Sequence, residues 1–244
     1  MSYGIKLHVW GDFALFTRPE MKVERVSYDV MTPSAARGVL EAIYWKPQIR
    51  WVIHTIEVLK PVRFTNIRRN EVGRKAPAPS RAAMAGEPAN LGLVVEDERQ
   101  QRASTLLRDV AYIIEASFDV LDLRMERGGP ELPRQAIEGK HLDIFKRKAR
   151  TGQYRHHPYF GCREFPASFS LLEETSPFPK SELPEDQRNQ RLGWMLHDID
   201  YIPDPRGPIV ESNQGRRLRA EPRFFNAEMK DGIITIPPFS EAKA

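Results

Sequence analysis

The chain has 244 residues, enough for one large or two small domains whose hydrophobic core needs no disulfides. Hydrophobic residues make up 41% and charged residues 29%, which excludes a wholly disordered, collagen-like or coiled-coil chain. No apolar run reaches the roughly 18–20 residues that span a bilayer, and the N-terminus lacks a signal-peptide pattern. The single cysteine, Cys162, excludes an internal disulfide and a Cys-rich zinc site, and favours a cytoplasmic location.

The net charge is only +4, so the distribution of the cations matters more than their excess. Three clusters of positive charge stand out, within residues 63–75, 140–157 and 216–219. Each cluster alone is compatible with an ordinary solvated surface. Together they are also typical of a surface that binds a polyanion such as a nucleic acid.

The first half of the chain alternates strand and helix patterns. Residues 4–16 have the two-residue alternation of a half-buried strand, with a bend expected at Gly11-Asp12. Thr32 and Pro33 begin a helix, which Pro47 ends. Its predicted core side is Ala36, Val39, Leu40 and Ile43. Residues 50–66 then predict one long strand or two, with a break at Pro61.

The second half begins with a predicted long loop at 73–92, followed by a strand at 102–121 and a helix at 133–150. The predicted core side of that helix is Ala136, Leu142, Ile144 and Phe145. Further strands are predicted at 163–171 and 192–201, and a hairpin at 222–237. The acidic, proline-rich stretch 173–186 is predicted to be a linker or surface loop.

The order β-α-β-β-α-β indicates an α+β fold of the ferredoxin-like class, which includes RNA-recognition modules. We therefore predict a ferredoxin-like domain at residues 1–190 and a smaller C-terminal antiparallel β-sheet domain at 191–244.

Motifs for other chemistries are missing from the sequence. The six histidines show no HExxH or other paired helical spacing, so we expect no zinc centre, while a weakly held Mg²⁺ on carboxylates stays open. The phosphate-binding patterns GxxxxGK[ST] and GxGxxG do not occur either, which argues against an ATPase or a dehydrogenase.

Two segments could carry chemistry. Tyr44-Trp45-Lys46 would place a phenol and an ammonium at one helix end, which suits metal-free RNA cleavage, although both rings could simply close the core. Residues 154–161 mix cations, imidazoles and rings, which could hold phosphates and stack on unpaired bases. They could equally form an ordinary connector with its rings packed beneath.

Several stretches resemble the Cas5 family of CRISPR-associated proteins, in its d (type I-C) branch. The specific ones are VWGDFALFTRPE, TPSAARGVLEAIYWKP, YFGCREFPA and FFNAEMKDGIITIP, and the resemblance covers nearly the whole chain. It implies an RNA-recognition-type, RAMP-like N-terminal domain and a smaller β-sheet domain.

The resemblance also implies an activity and partners. Family members cut the repeat hairpin of precursor CRISPR RNA without metal, by 2′-hydroxyl attack that leaves a 2′,3′-cyclic phosphate. The subunit then stays on the 5′ handle in the type I-C surveillance complex, beside the backbone and large subunits. A secondary DNase activity that uses Mg²⁺ is attributed to some members.

The resemblance places the catalytic tyrosine at Tyr44. It implies a further lysine and histidine on the strand after the long loop, where this sequence has Glu115 and Ser117. Other groups, such as Lys46, His54 or His156, could then replace them. The expected catalytic set is Tyr44, Lys46, Glu115 and Ser117. The expected RNA-binding residues are Lys140, Lys146, Arg147, Lys148, Arg150, Arg155, His156 and His157.

The departure at Glu115 and Ser117 keeps a second function open, a subunit that binds the 5′ handle without cutting. A third, a basic ferredoxin-like interaction protein with no nucleic-acid ligand, would show only a shallow salt dependence of RNA binding.

Overall fold

The computed structural model describes residues 4–21, 23–75, 77–88, 92–124, 129–173, 177–204, 209–210 and 216–244. Within these ranges the chain forms mostly strands, with a few helices. The strands are β1 (Ile5–Ala14), β2 (Arg25–Val26), β3 (Ile49–Val58), β4 (Phe64–Val72), β5 (Arg99–Val120), β6 (Ser168–Leu172), β7 (Gln190–Pro203), β8 (Ile209–Val210), β9 (Arg216–Lys230) and β10 (Ile233–Thr235). The helices are α1 (Pro33–Ile43), α2 (Arg81–Met84), α3 (Val95–Glu98), α4 (Arg134–Arg150) and α5 (Glu185–Arg188).

The described strands belong to one sheet, whose main path has the order β6-β1-β5-β3-β10-β9-β7. Neighbours along this path are antiparallel. Strand β5 is the centre of the arrangement, because its C-terminal part lies between β1 and β3 while its N-terminal part pairs with β4. The predicted α+β class is therefore confirmed. The C-terminal strands continue the same sheet, since β10 pairs with β3.

The predicted break near Pro61 is confirmed, because β3 and β4 pair with successive parts of β5 on the same side. Proline has no N–H to donate and is therefore expected where a ladder is interrupted. The expected bend at Gly11-Asp12 does not end the strand: β1 continues to Ala14 and keeps its pairing with β5. The predicted loop 73–92 contains α2, a helix one turn long with Ser80 as its N-cap.

Helix α1 forms as its sequence predicts. The Thr32 hydroxyl accepts a hydrogen bond from the Ala35 N–H, and Pro33 occupies the first turn, where no N–H is needed. The predicted core residues Ala36, Val39, Leu40 and Ile43 are all buried. They belong to the same hydrophobic cluster as Leu7 and Val9 of β1, and α1 packs against the neighbouring β3, so α1 covers one face of the sheet.

Helix α4 lies on the same side, but part of its predicted core side is wrong. Ala136 is exposed and Ile144 is only half-buried. The buried stripe instead follows the four-residue spacing Ile137, His141, Phe145 and Ala149, with Leu142 beside it. The sequence prediction favoured aliphatic residues and passed over a histidine in the stripe, although the helical period places it there.

A glycine is required where the segment after α4 crosses the end of β1. Gly161 has φ of +79°, and a Cβ there would lie 2.0 Å from the Leu15 carbonyl oxygen. The same segment is joined to β1 by the hydrogen bond from Leu15 N–H to the Phe160 carbonyl oxygen (3.1 Å).

We expect Gly161→Ala to destabilise the fold more than Gly152→Ala. Both glycines have positive φ, which costs a residue with a side chain about 1–2 kcal/mol, but a Cβ at Gly152 meets nothing within 4 Å. Urea denaturation should therefore show the strain alone for Gly152→Ala and a clearly larger loss for Gly161→Ala. Equal losses would mean that the segment moves away from Leu15 without cost.

Candidate active site

Tyr44 is the residue at which helix α1 ends. It is the C-cap, with extended backbone angles, and its N–H donates to the Leu40 carbonyl oxygen (2.9 Å). The Trp51 indole N–H of β3 donates to the Tyr44 carbonyl oxygen (2.9 Å). The backbone of Tyr44 is therefore held from both sides, and its side chain, 4% exposed, points into the space between α1 and α4.

The partner of the Tyr44 hydroxyl is His141 of α4, whose Nδ1 lies 2.8 Å away. His141 is 1% exposed, and the Phe118 ring meets it edge-on. Its second ring nitrogen, Nε2, is buried without a hydrogen-bond partner among the described residues. Since buried polar atoms are almost always paired, this is an unusual environment for an imidazole.

Burial shifts both groups away from their charged forms. It raises the pKa of the Tyr44 phenol. It lowers the pKa of His141, and the positive charges of Lys140 and Lys46 lower that pKa further. At neutral pH the pair is therefore an uncharged phenol beside an uncharged imidazole, with Nδ1 placed to accept the phenol proton.

The C-terminal end of α1 beside this pair binds a lysine ammonium and a backbone N–H. The Lys148 ammonium donates to the Ile43 carbonyl oxygen (3.2 Å) and lies 6.0 Å from the centre of the Tyr44 ring. The backbone N–H of Arg155 donates to the Ala42 carbonyl oxygen (2.8 Å). The last carbonyls of a helix lack helical partners and carry partial negative charge, so they attract such groups.

The structure brings some of the predicted residues together. Tyr44, Lys148 and Arg155 meet at the end of α1. Lys46 and Lys140 are near enough to act on the pKa of His141.

The other predicted RNA-binding residues lie in the C-terminal half of α4 and in the segment that follows it. Lys146 and Arg147 form no ion pair within the described ranges, whereas Arg150 is bound by Glu173 through two hydrogen bonds (2.6 and 2.9 Å). His156 and His157 are exposed in the connector, where their rings contact Tyr159 and Tyr154 respectively.

Glu115 and Ser117 are not brought to Tyr44. They alternate along β5 with Ala116 and Phe118, which face the helices, so they point to the opposite face of the sheet. There the Thr55 hydroxyl donates to Glu115 (3.3 Å) and Lys6 pairs with it (3.7 Å). Ser117 is hydrogen-bonded to Nε2 of His54 (2.6 Å), so His54 is on that face as well.

The sequence prediction therefore missed His141 as a partner of Tyr44. Lys140 and His141 supply, on α4, a lysine and a histidine of the kind that the resemblance placed on β5. The signal that could have found His141 is its place in the buried four-residue stripe of α4, one turn from Phe145.

The comparisons with known proteins identify the family of the chain. The family profile described as "CRISPR-associated protein (Cas_Cas5)", of the Cas5d type, matches residues 4–237. The chain belongs to the Cas5d family. A Cas5d protein of Mannheimia succiniciproducens, named a CRISPR pre-crRNA endoribonuclease, is 49% identical over 241 residues, covering 98% of this chain and 97% of its own length.

One further Cas5d relative and one solved structure extend the comparison. A protein of Thermus thermophilus with the same name is 42% identical over 237 residues, which is 96% of this chain and 91% of that protein. A solved structure described as a CRISPR-associated protein superposes with a TM-score of 0.62 at 23% identity, over 100% of this chain and 96% of that one. This last likeness shows the fold alone.

The described residues of this Cas5d chain contain no helix able to cross a membrane. Nor do they contain a group of three or more potential metal ligands.

We expect the buried His141 to make the stability of the fold depend on pH. Its pKa in the folded chain lies below its usual value of 6.5, so the unfolded chain binds the proton first as the pH falls. The neutral imidazole therefore favours folding fully above pH 6.5, and this contribution is lost between 6.5 and the lowered folded pKa.

Urea denaturation across this pH range is the measurement. His141→Asn should flatten the loss of stability below pH 6.5, and the exposed His156→Asn is the matched control. The lowered pKa of His8 leaves some dependence in every variant. An unchanged pH profile in His141→Asn would contradict the burial of a neutral imidazole at this position.

Proposed function

We propose that this chain is a metal-independent endoribonuclease that cuts the repeat hairpin of precursor CRISPR RNA. The observation that carries the proposal is the Tyr44–His141 pair at the cation-rich end of α1. The names of two relatives at 42–49% identity support the same activity and the same substrate.

The geometry supports a specific proton-transfer role for Tyr44 and another for His141. The 2′-hydroxyl of the RNA attacks the adjacent phosphorus, and the bond from phosphorus to the 5′ oxygen breaks. The products are a 2′,3′-cyclic phosphate and a 5′-hydroxyl. The proton of the 2′-hydroxyl passes to the Tyr44 oxygen while the Tyr44 proton passes to Nδ1 of His141. His141, which becomes positively charged in this step, then provides the proton that the departing 5′ oxygen needs.

The lysines around the pair have a separate role. The phosphorane that forms on attack carries extra negative charge, and fixed positive charge nearby lowers its energy. Lys46 and Lys140 are the cations whose fields reach His141, so we assign this stabilisation to them. Since Tyr44 is buried, the RNA must displace a covering side chain, and the long Lys148 side chain lies beside the ring.

The wider assignments that we propose follow from the resemblance and the topology. The order β6-β1-β5-β3 with two helices on one face supports a ferredoxin-like arrangement in residues 1–190. Residues 191–244 would be the smaller β-sheet unit. Retention on the 5′ handle within a type I-C surveillance complex, beside its backbone and large subunits, a cytoplasmic location, and Mg²⁺-dependent DNA cleavage remain predictions.

A second function, binding of the 5′ handle without cleavage, is favoured by one observation. Both reactive groups of the pair are nearly inaccessible, with Tyr44 4% and His141 1% exposed. A site that never opened would leave the RNA bound and whole.

Tyr44→Phe tests the proposal directly. It removes the hydroxyl that relays the proton but keeps the ring, so cleavage of the cognate repeat RNA in EDTA should fall by about 10²–10⁴-fold. Binding should stay within a few-fold. The product of the unchanged chain should carry a 2′,3′-cyclic phosphate. Tyr154→Phe, which alters an exposed tyrosine in the connector, is the control.

Two other outcomes would be equally informative. Normal cleavage by Tyr44→Phe would remove Tyr44 from the chemistry. Tight binding of the repeat by the unchanged chain without any cut would favour the binding-only function.

The positively charged residues of α4 lead to a further prediction, about how the affinity for RNA depends on salt concentration. If Arg147 contacts an RNA phosphate, Arg147→Ala should reduce the slope of log affinity against log salt by about 0.7–0.9. Arg150→Ala should change the slope less, because Glu173 already neutralises that guanidinium. Fluorescence anisotropy at several salt concentrations measures both slopes. Equal slopes in the unchanged chain and the two variants would place the RNA away from this part of α4.

A further inference from the structure

The face of the sheet opposite the helices carries two stacked rings on β1. His8 and Trp10 follow each other on that face, with ring centres 4.6 Å apart and planes inclined by 27°. Trp10 is 38% exposed, although tryptophan is among the side chains that gain most from burial. Neither α1 nor α4 covers this surface, since both pack on the other face with Leu7 and Val9.

The surroundings of the two rings are polar and partly cationic. The cross-strand neighbours of Trp10 and His8 on β6 are Ser168 and Ser170, both exposed. On one side, Lys6 extends over the exposed ring of Phe178, 5.9 Å from its centre. On the other, the positive charge of Lys60 contributes to the lowered pKa of His8.

The imidazole of His8 is available to bind a ligand. Within the described residues no hydrogen bond reaches either ring nitrogen of His8. Burial and Lys60 lower the pKa of His8, so at neutral pH it is an uncharged ring with one donor and one acceptor. Such a ring can stack and hydrogen-bond to the edge of a base at the same time.

We propose that His8 and Trp10 form a stacking site for unpaired nucleobases. Surfaces that bind single-stranded RNA combine aromatic rings with cations and hydroxyls. The rings stack on bases and the cations bind phosphates. The occupant would be the single-stranded RNA next to the hairpin that the chain cuts. The inference thus rests on the proposed function for the identity of the ligand.

A protein partner fits this surface less well. The central parts of protein interfaces are depleted in charge and rich in apolar contact. Here the aliphatic residues of the open face, Leu59, Ala111 and Ile113, are already buried in a small cluster of their own, with Leu172 packed against it. What remains exposed around the rings is mainly polar: the hydroxyls of β6, and Lys6 and Lys60 with their carboxylate partners Glu115 and Asp109.

The site is separate from the proposed chemistry. Tyr44 and His141 lie on the helix side of the sheet, whereas His8 and Trp10 lie on the other. A change at Trp10 should therefore alter how RNA is held without altering how it is cut.

Trp10→Ala is the test, with two RNAs: the cognate repeat hairpin alone, and the same hairpin with its single-stranded flank. Loss of one base stack should weaken binding of the flanked RNA by about tenfold and leave the bare hairpin unchanged. Single-turnover cleavage at saturating protein should stay the same. Trp10→Phe keeps a ring and should restore most of the affinity.

Trp194→Ala is the matched control. Trp194 is 54% exposed on β7, but Lys243 lies over its ring, and no second ring among the described residues stacks on it. Its loss should leave both affinities unchanged. Thermal unfolding monitored by circular dichroism establishes that each variant is folded at the assay temperature.

The possible outcomes separate the two proposals. If the unchanged chain neither binds nor cuts the repeat, the proposed function fails. If it does both and Trp10→Ala binds the two RNAs equally well, the stacking site is wrong while the proposed function stands. If Trp10→Ala loses only its binding to another subunit of the complex, the rings are a protein interface and the inference is overturned.

Discussion

The alternation of side chains along the central strands is the constraint on which the rest of this structure depends. Strands β1 and β5 send consecutive residues to opposite faces, and only one of those faces is covered by helices. A residue on β5 therefore belongs either to the core beneath α1 and α4 or to the open face. Phe118 takes part in the Tyr44 site, and its neighbour Ser117 cannot.

The second determinant is the way in which α1 ends. A helix whose last carbonyls are buried must find donors for them, and here the donors come from Lys148 and from the backbone of Arg155. The same requirement that completes the helix thus places the positive charge of Lys148 beside Tyr44. The local electrostatics that suit a phosphate are in this sense a consequence of folding, present before any RNA arrives.

Much of the fold could be predicted from the sequence because its signals are local. The Thr32 cap, the break at Pro61 and the turn at Asp231-Gly232, where both residues have positive φ, each depend on a few neighbouring residues. The end of α1 at Tyr44 follows from Pro47 in the same way. Such features need no knowledge of what packs against them.

The site could be predicted only in part, because it is formed by elements far apart in the chain. Tyr44 and His141 are 97 positions apart, and nothing local to either indicates the other. The sequence prediction read the histidine as one member of a basic cluster. Its partners depend on how α4 lies across the sheet, which is set by the whole buried stripe and not by the residue itself.

The two faces of the sheet also explain why cutting and holding can be distinct properties of one chain. The Tyr44–His141 pair is buried, and the reaction that we propose for it needs the exclusion of water and a fixed proton path. The His8 and Trp10 rings are accessible, as stacking on a flexible strand requires. An exposed surface cannot exclude water from a reaction, and a buried pair cannot stack on a flexible strand. On both proposals, one core substitution at the pair would remove cleavage and leave the surface that stacks on single-stranded RNA intact.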